Sequence, residues 1–152
     1  MTAYNIKGVP VCGITFNFFA PPNSSASSIM LSHGSVTDND YGSRCIWIRL
    51  PFPIKVYALS ITTDDDGESG VNITLQVRKD TGATYTSNND HGTGIGDVVT
   101  YTSLDERHHE CHIFSSEPEL AKNDSIGLRY ARTGGSSTMD VEYTVKLWCY
   151  QI

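Results

Sequence analysis

Val71-Asn72-Ile73-Thr74-Leu75-Gln76-Val77-Arg78 alternates apolar and polar residues without a break, and Met139 to Cys149 does the same over eleven positions. In the second run Met139, Val141, Tyr143, Val145, Leu147 and Cys149 share one face, and Asp140, Glu142, Thr144 and Lys146 share the other. Successive side chains of a strand point to opposite faces, so a period of two marks a strand with one face buried. Working outward, the same rule appears in Cys12-Ile14-Phe16-Phe18, Ile46-Ile48-Leu50, His109-Cys111-Ile113 and Ile126-Leu128-Tyr130. Ile54 to Thr63 and Asp97 to Thr102 are rich in Val, Ile, Tyr and Thr, which suit a pleated surface. No stretch has a sustained helical face. One helical turn is expected at Glu117 to Lys122, where Pro118 sits in the first turn and its missing N–H does no harm.

Turn chemistry separates these runs. Asp64 to Gly70 reads as a turn, Asp80-Thr81-Gly82 as a tight hairpin with Gly82 at positive φ, and Thr133 to Ser137 as the link between the last two strands. Two connections are longer, Pro21 to Ser43 and Ser87 to Gly96, and long loops in compact domains tend to be functional or disordered. The pattern predicts an all-β fold: one antiparallel β-sandwich of about eight strands, filling residues 1–152 as a single domain. Residues 1–10 are expected as an N-terminal arm and 21–43 as a long loop.

The 152 residues suit one domain able to bury a core without metal or disulfide. Aromatics at 10% argue against disorder. The formal net charge is -6 and no cluster of Lys or Arg stands out, so the electrostatic footprint of a nucleic-acid binder is missing. Val11 to Ala20 is too short to span a membrane, and Met1 to Ile6 has no basic residue before an apolar stretch, so neither a membrane nor an export signal is expected. Without export, Cys12, Cys45, Cys111 and Cys149 are expected as reduced thiols; the even count also permits one or two disulfides.

Chemistry-bearing clusters are few. Arg107-His108-His109-Glu110-Cys111-His112 is the densest. As a helix it fails the zinc-protease pattern, which needs Glu directly after the first His. As a strand, His108, Glu110 and His112 point one way as a metal comb, but no second cluster completes a four-ligand shell, so no metal is expected. Asp64 to Glu68 lacks the alternate ligands and twelfth-position Glu of a calcium loop. No Gly-x-Ser-x-Gly elbow frames a nucleophile. Asn72-Ile73-Thr74 matches a glycosylation acceptor in mid-strand and is discounted. No catalytic residue, cofactor or enzymatic activity is expected. Trp47, Phe52, Trp148 and Tyr150 are the candidate contact residues. Both faces of the last strand end in large apolar groups, and Trp and Tyr are enriched at interfaces or stack on sugars.

The segment Leu120-Ala121-Lys122-Asn123-Asp124-Ser125-Ile126-Gly127-Leu128-Arg129 resembles the "small-x-x-Asp-x-Ile-x-Leu" stretch of compact β-sandwiches in virion proteins of tailed bacteriophages. Tyr57 to Ile61 and Val71 to Lys79 look similar, so the resemblance spans Ile54 to Ile152. That family includes head-decoration (cement) proteins and fibre or receptor-binding domains; TNF-like and sugar-binding sandwiches share much of the pattern. The resemblance implies a viral structural protein of the virion, made in the host cytoplasm. It would be a jelly-roll homotrimer that binds the major capsid protein or another virion protein and stabilises the head. The alternative is a carbohydrate- or receptor-binding module of a tail appendage or of a cellular lectin-like protein, with a glycan as partner.

Overall fold

The strands pair in a nested order. In the computed structural model, which describes residues 5–6, 9–20, 29–30, 34–35, 47–63, 72–80, 92–102, 109–133 and 141–152, twelve strands follow one another. They are β1 (Asn5–Ile6), β2 (Val9–Ala20), β3 (Ile29–Met30), β4 (Gly34–Ser35), β5 (Ile48–Arg49), β6 (Ile54–Thr63), β7 (Asn72–Asp80), β8 (Thr93–Thr102), β9 (His109–Ile113), β10 (Glu119–Leu120), β11 (Ser125–Thr133) and β12 (Val141–Gln151). β2 pairs with β12, β3 with β11, β6 with β9 and β7 with β8, all antiparallel. Each pair lies inside the one before, so the chain is one long hairpin whose tip is the β7–β8 connection. Rolling that hairpin brings β12 against β6 and β11 against β7.

The result is two sheets, β1-β2-β12-β6-β10 and β3-β11-β7-β8, with β4 beside β2, β9 beside β6 and β5 beside β11. This is the two-sheet sandwich expected from the alternation, and its strand order is the jelly roll that the resemblance implied, with eight strands carrying the nested pairing. Four two-residue strands, β1, β4, β5 and β10, complete the margins. Among the described strands only β4 runs parallel to its neighbour, β2. The N-terminal stretch expected as an arm contributes β1, which pairs back onto Val9 and Pro10.

The core is what the period of two dictates. Leu59, Ile61, Val145 and Leu147 point inward from the first sheet, and Ile73, Leu75, Val77 and Leu128 from the second, all fully buried. Burying each such side chain stabilises by about 1.5–3 kcal/mol. Three tyrosines share this interior, Tyr101, Tyr130 and Tyr143. The Tyr101 hydroxyl donates to the Leu59 carbonyl at 3.0 Å, which ties β8 to β6 across the core. Burial pushes its pKa well above the ordinary tyrosine range.

Four expectations need correction. The segment Glu117 to Lys122 is not a helical turn: Glu119 and Leu120 pair with Lys55 and Ile54, and the Pro118 carbonyl accepts the Val56 N–H at 3.0 Å. A neighbouring strand satisfies this backbone, so a local helix gains nothing there. The chain then turns at Asn123, with φ 72, where the Asp124 carboxylate accepts the Ala121 N–H at 2.7 Å. Thr81 and Gly82 of the expected hairpin lie outside the described residues, but β7 does not return as a strand directly after them, because Lys79 pairs with Thr93. β8 begins at Thr93, earlier than Asp97. Its register shifts between Leu75 and Val77 of β7, and this irregularity, holding Gly96 at φ 70, breaks the alternation. Finally, His109, Cys111 and Ile113 face outward, with Ile113 73% exposed. β9 pairs along one side only, with β6, so its inward positions reach the rim of the core, and polar His112 occupies the one beside Leu59.

Candidate binding surface

β12 lies between β2 and β6, and the register fixes what stands beside each of its outward side chains. Thr144 is flanked by Asn17 and Thr62, Lys146 by Thr15 and Ser60, and Trp148 by Gly13 and Ala58. The outer face of the first sheet is therefore a grid of hydroxyls and an amide with one cation and one indole. The backbone groups of β12 are committed to the ladders on both sides. Thr144 Oγ1 donates to Asn17 Oδ1 at 3.0 Å, and Trp148 Nε1 donates to Ser60 Oγ at 3.1 Å. Lys146 Nζ lies 4.0 Å from the centroid of the Trp148 ring, a cation–π contact. Gly13 makes that posture possible, because a Cβ there would run into Lys146 Cε.

Tyr150 closes off within its own chain. It is 9% exposed, its hydroxyl donates to the Glu117 carboxylate, and its ring centroid lies 6.4 Å from that of Tyr57. The hydrogen bond to Glu117, with burial, raises its pKa. Phe52 stays open at the same end of the sandwich. It is 37% exposed, and the Ile152 N–H donates to the Pro53 carbonyl at 3.3 Å, bringing Ile152, 47% exposed, one residue from it. Trp47 precedes β5, on the other sheet. Its ring tip rests where a Cβ on Gly92 would fall, and its half-buried indole N–H has no hydrogen-bond partner among the described residues. Beside it Arg78, buried on the outer face of β7, donates to the Gly92 carbonyl at 3.1 Å and to Gln76 Oε1 at 3.2 Å. The four candidate contact residues thus do not form one cluster: Phe52 and Tyr150 share an end, Trp148 faces out from the first sheet, and Trp47 packs on Gly92 beside the second.

The described part of the histidine cluster is divided between the two faces of β9. His108 lies outside the described residues, and so does Asp64 to Glu68. His109 is exposed beside Thr62, with Nδ1 3.0 Å from Thr62 Oγ1. His112 instead meets Asp97 at 3.0 Å, and Asp97 also accepts the Ser115 N–H at 2.9 Å and the Ser115 hydroxyl at 3.0 Å. Those bonds, Ser115 foremost, hold the Asp97 carboxyl below its usual range. They also fasten β8 of one sheet to β9 of the other. Sequence reasoning missed this clasp, because Asp97 and His112 lie fifteen residues apart on strands of different sheets, and the register of β8 shifts beside Asp97. Among the described residues no three His, Cys, Asp or Glu side chains gather as a metal site. Cys111 and Cys149 are free thiols, one exposed and one buried. The side chain of Cys12 and all of Cys45 lie outside the described residues.

No family model and no curated protein matches this sequence. Among solved structures, the chain is similar to the structure of infectious bursal disease virus, Gx strain, with a TM-score of 0.44, 13% identity and cover of 91% of this chain and 32% of that one. It is similar also to the VP2 subviral particle of infectious bursal disease virus, with a TM-score of 0.41, 12% identity and cover of 91% and 32%. Eiger TNF from S. frugiperda matches with a TM-score of 0.31, 10% identity and cover of 89% and 91%. The chain spans about a third of the length of the two virus chains.

Proposed function

We propose that this protein is a structural component of a virus particle: a jelly-roll unit that self-associates, as a homotrimer, and sits on the outer surface of a capsid as a decoration protein. Jelly rolls serve both capsids and lectins, so the fold leaves the choice to the surface. The observation that carries the reading is the open apolar end. Phe52 and Ile152 remain exposed where the main chain pins the last residue to Pro53, while Tyr150 beside them is folded away against Glu117. Exposed apolar side chains clustered at one place mark a contact surface. Closure around a symmetry axis covers such a surface without open-ended growth. A protein that binds only the assembled shell stabilises it by mass action.

The test is to purify virus particles from the source of the sequence and look for this chain in them by mass spectrometry, then to strip it and add it back. Stoichiometric recovery with the particles, and a lower temperature of particle disruption after stripping, are expected. Its absence from gradient-purified particles contradicts the reading.

A further inference from the structure

The geometry points to the outer face of the first sheet as a binding site for an acidic sugar, with Lys146 taking the carboxylate and Trp148 the apolar face of the ring. Three observations carry this, and none depends on the particle reading. First, the two residues beside Trp148 in the neighbouring strands are Gly13 and Ala58, among the smallest available. No cross-strand side chain stands as tall as the indole, and its N–H is already satisfied by Ser60, so the half-buried ring presents carbon rather than an unmet donor. Second, Lys146 is the only charge in the nine-residue grid. Its ammonium rests on the Trp148 ring, and no carboxylate among the described residues pairs with it. In a chain with net charge -6 this is a local inversion of sign, held in place by the notch at Gly13. Third, the remaining positions beside the cation are Thr15, Ser60, Asn17 and Thr144, which offer hydroxyls and an amide at strand spacings. Rows of outward side chains two residues apart lie ~7 Å apart, and neighbouring strands ~4.8 Å, which is the scale of a pyranose ring.

An acidic peptide fits this face less well than a sugar. β12, which carries Lys146 and Trp148, has its main-chain donors and acceptors committed to β2 and β6, so an extended peptide lying over it finds no backbone partner there. A sugar needs only the side-chain hydroxyls, a carboxylate partner and a stacking surface, and all three are present. Binding moves the carboxylate onto Lys146 Nζ and lays the sugar's C–H face against the part of the indole that Lys146 leaves open.

The experiment is a titration of the full chain with a panel of uronate and sialic-acid oligosaccharides, each with its neutral methyl ester, and with triglutamate as the peptide arm. Binding is read from the indole N–H resonances in proton–nitrogen spectra. The chain has two tryptophans, so a W47F variant assigns the Trp148 signal. At least one acidic sugar is expected to shift the Trp148 signal and leave the Trp47 signal in place, with about tenfold weaker binding for its ester and for K146Q, a difference of ~1.4 kcal/mol. For W148F and W148A, which lack that indole, affinity is read by isothermal titration calorimetry, and W148F, which keeps a ring, is expected to retain more affinity than W148A. Circular dichroism of each variant establishes that it is folded. Equal binding of acid and ester, unchanged affinity in K146Q, binding of triglutamate as tight as the best sugar, or no shift with any ligand to about 10 mM each overturns the assignment. Because the readout is binding to the chain itself, failure here leaves its recovery with particles unaffected, and the reverse.

Discussion

The two tryptophans stand on opposite sheets, each next to a glycine, and the glycines do different jobs. Gly92 sits at φ +75, and a Cβ there would lie 2.6 Å from both the Trp47 ring and the Lys79 carbonyl. That position is fixed by backbone, so Trp47 is locked in a packed corner, with Arg78 bonded to the same glycine. Gly13 clears only the end of a flexible side chain, Lys146. Trp148 is held by one hydrogen bond and a cation rather than by packing on main chain. A half-buried aromatic is therefore not one kind of feature. Trp47 closes the structure and Trp148 is displayed by it, a difference that exposure alone does not reveal.

The largest expected effect comes from Gly92→Ala. The residue would adopt a left-handed conformation and displace Trp47, at a cost of about 2–4 kcal/mol in urea unfolding. A loss below about 0.5 kcal/mol would remove the distinction between the two corners. Next is Asp124→Ala. Asp124 is nearly buried, accepts the Ala121 N–H and pairs with Lys79 at 2.6 Å, while its backbone holds Leu50, three residues from Trp47. Removing the carboxylate should cost about 2 kcal/mol, because an N–H and an ammonium lose their partner.

Acid tests the same corner without mutation. Burial alone would raise the Asp124 pKa, but the Lys79 ammonium and the Ala121 N–H outweigh it and lower it. A carboxylate whose folded pKa is depressed contributes stability that is fully present above its unfolded pKa of ~3.9 and lost as the pH falls through the folded value. The thermal midpoint should therefore drop below about pH 4. Asp97, lowered by Ser115 and His112, adds to the drop in the same direction. Asp124→Asn should flatten part of that decline; an unchanged acid profile in the variant would remove Asp124 from the explanation. The smallest effect is expected for Gly13→Ala, where Lys146 swings aside: under about 1 kcal/mol of stability, with the Trp148 fluorescence altered because its cation has moved. A loss as large as that of Gly92→Ala would mean that Trp148 is packed as rigidly as Trp47.

What the sequence made legible was whatever one strand decides for itself. β6 runs over Ile54–Thr63 as the β-branched run indicated, and the alternation in β7 and β12 assigned Ile73, Leu75, Val77, Val145 and Leu147 to the core. The failures lie where a partner strand decides. Glu119 and Leu120 carry helix-compatible residues but meet β6, and β9 turns its apolar Ile113 outward because the clasp to Asp97 takes His112 to the inner side. In the candidate site, Trp148 and Lys146 were visible as outward residues of the last strand. That Gly13 and Ala58 flank the indole is a fact of register between segments more than forty residues apart, which no local pattern carries.

Coverage of the open end at Phe52 and Ile152 by further copies of the chain is decided by sedimentation equilibrium at tens of micromolar. The account predicts a species of three times the chain mass of 16.7 kDa, and a shift of Phe52→Asp to single chains that remain folded by circular dichroism. A well-behaved monomer for the unmodified protein, or a Phe52→Asp variant that associates as the parent does, would contradict it.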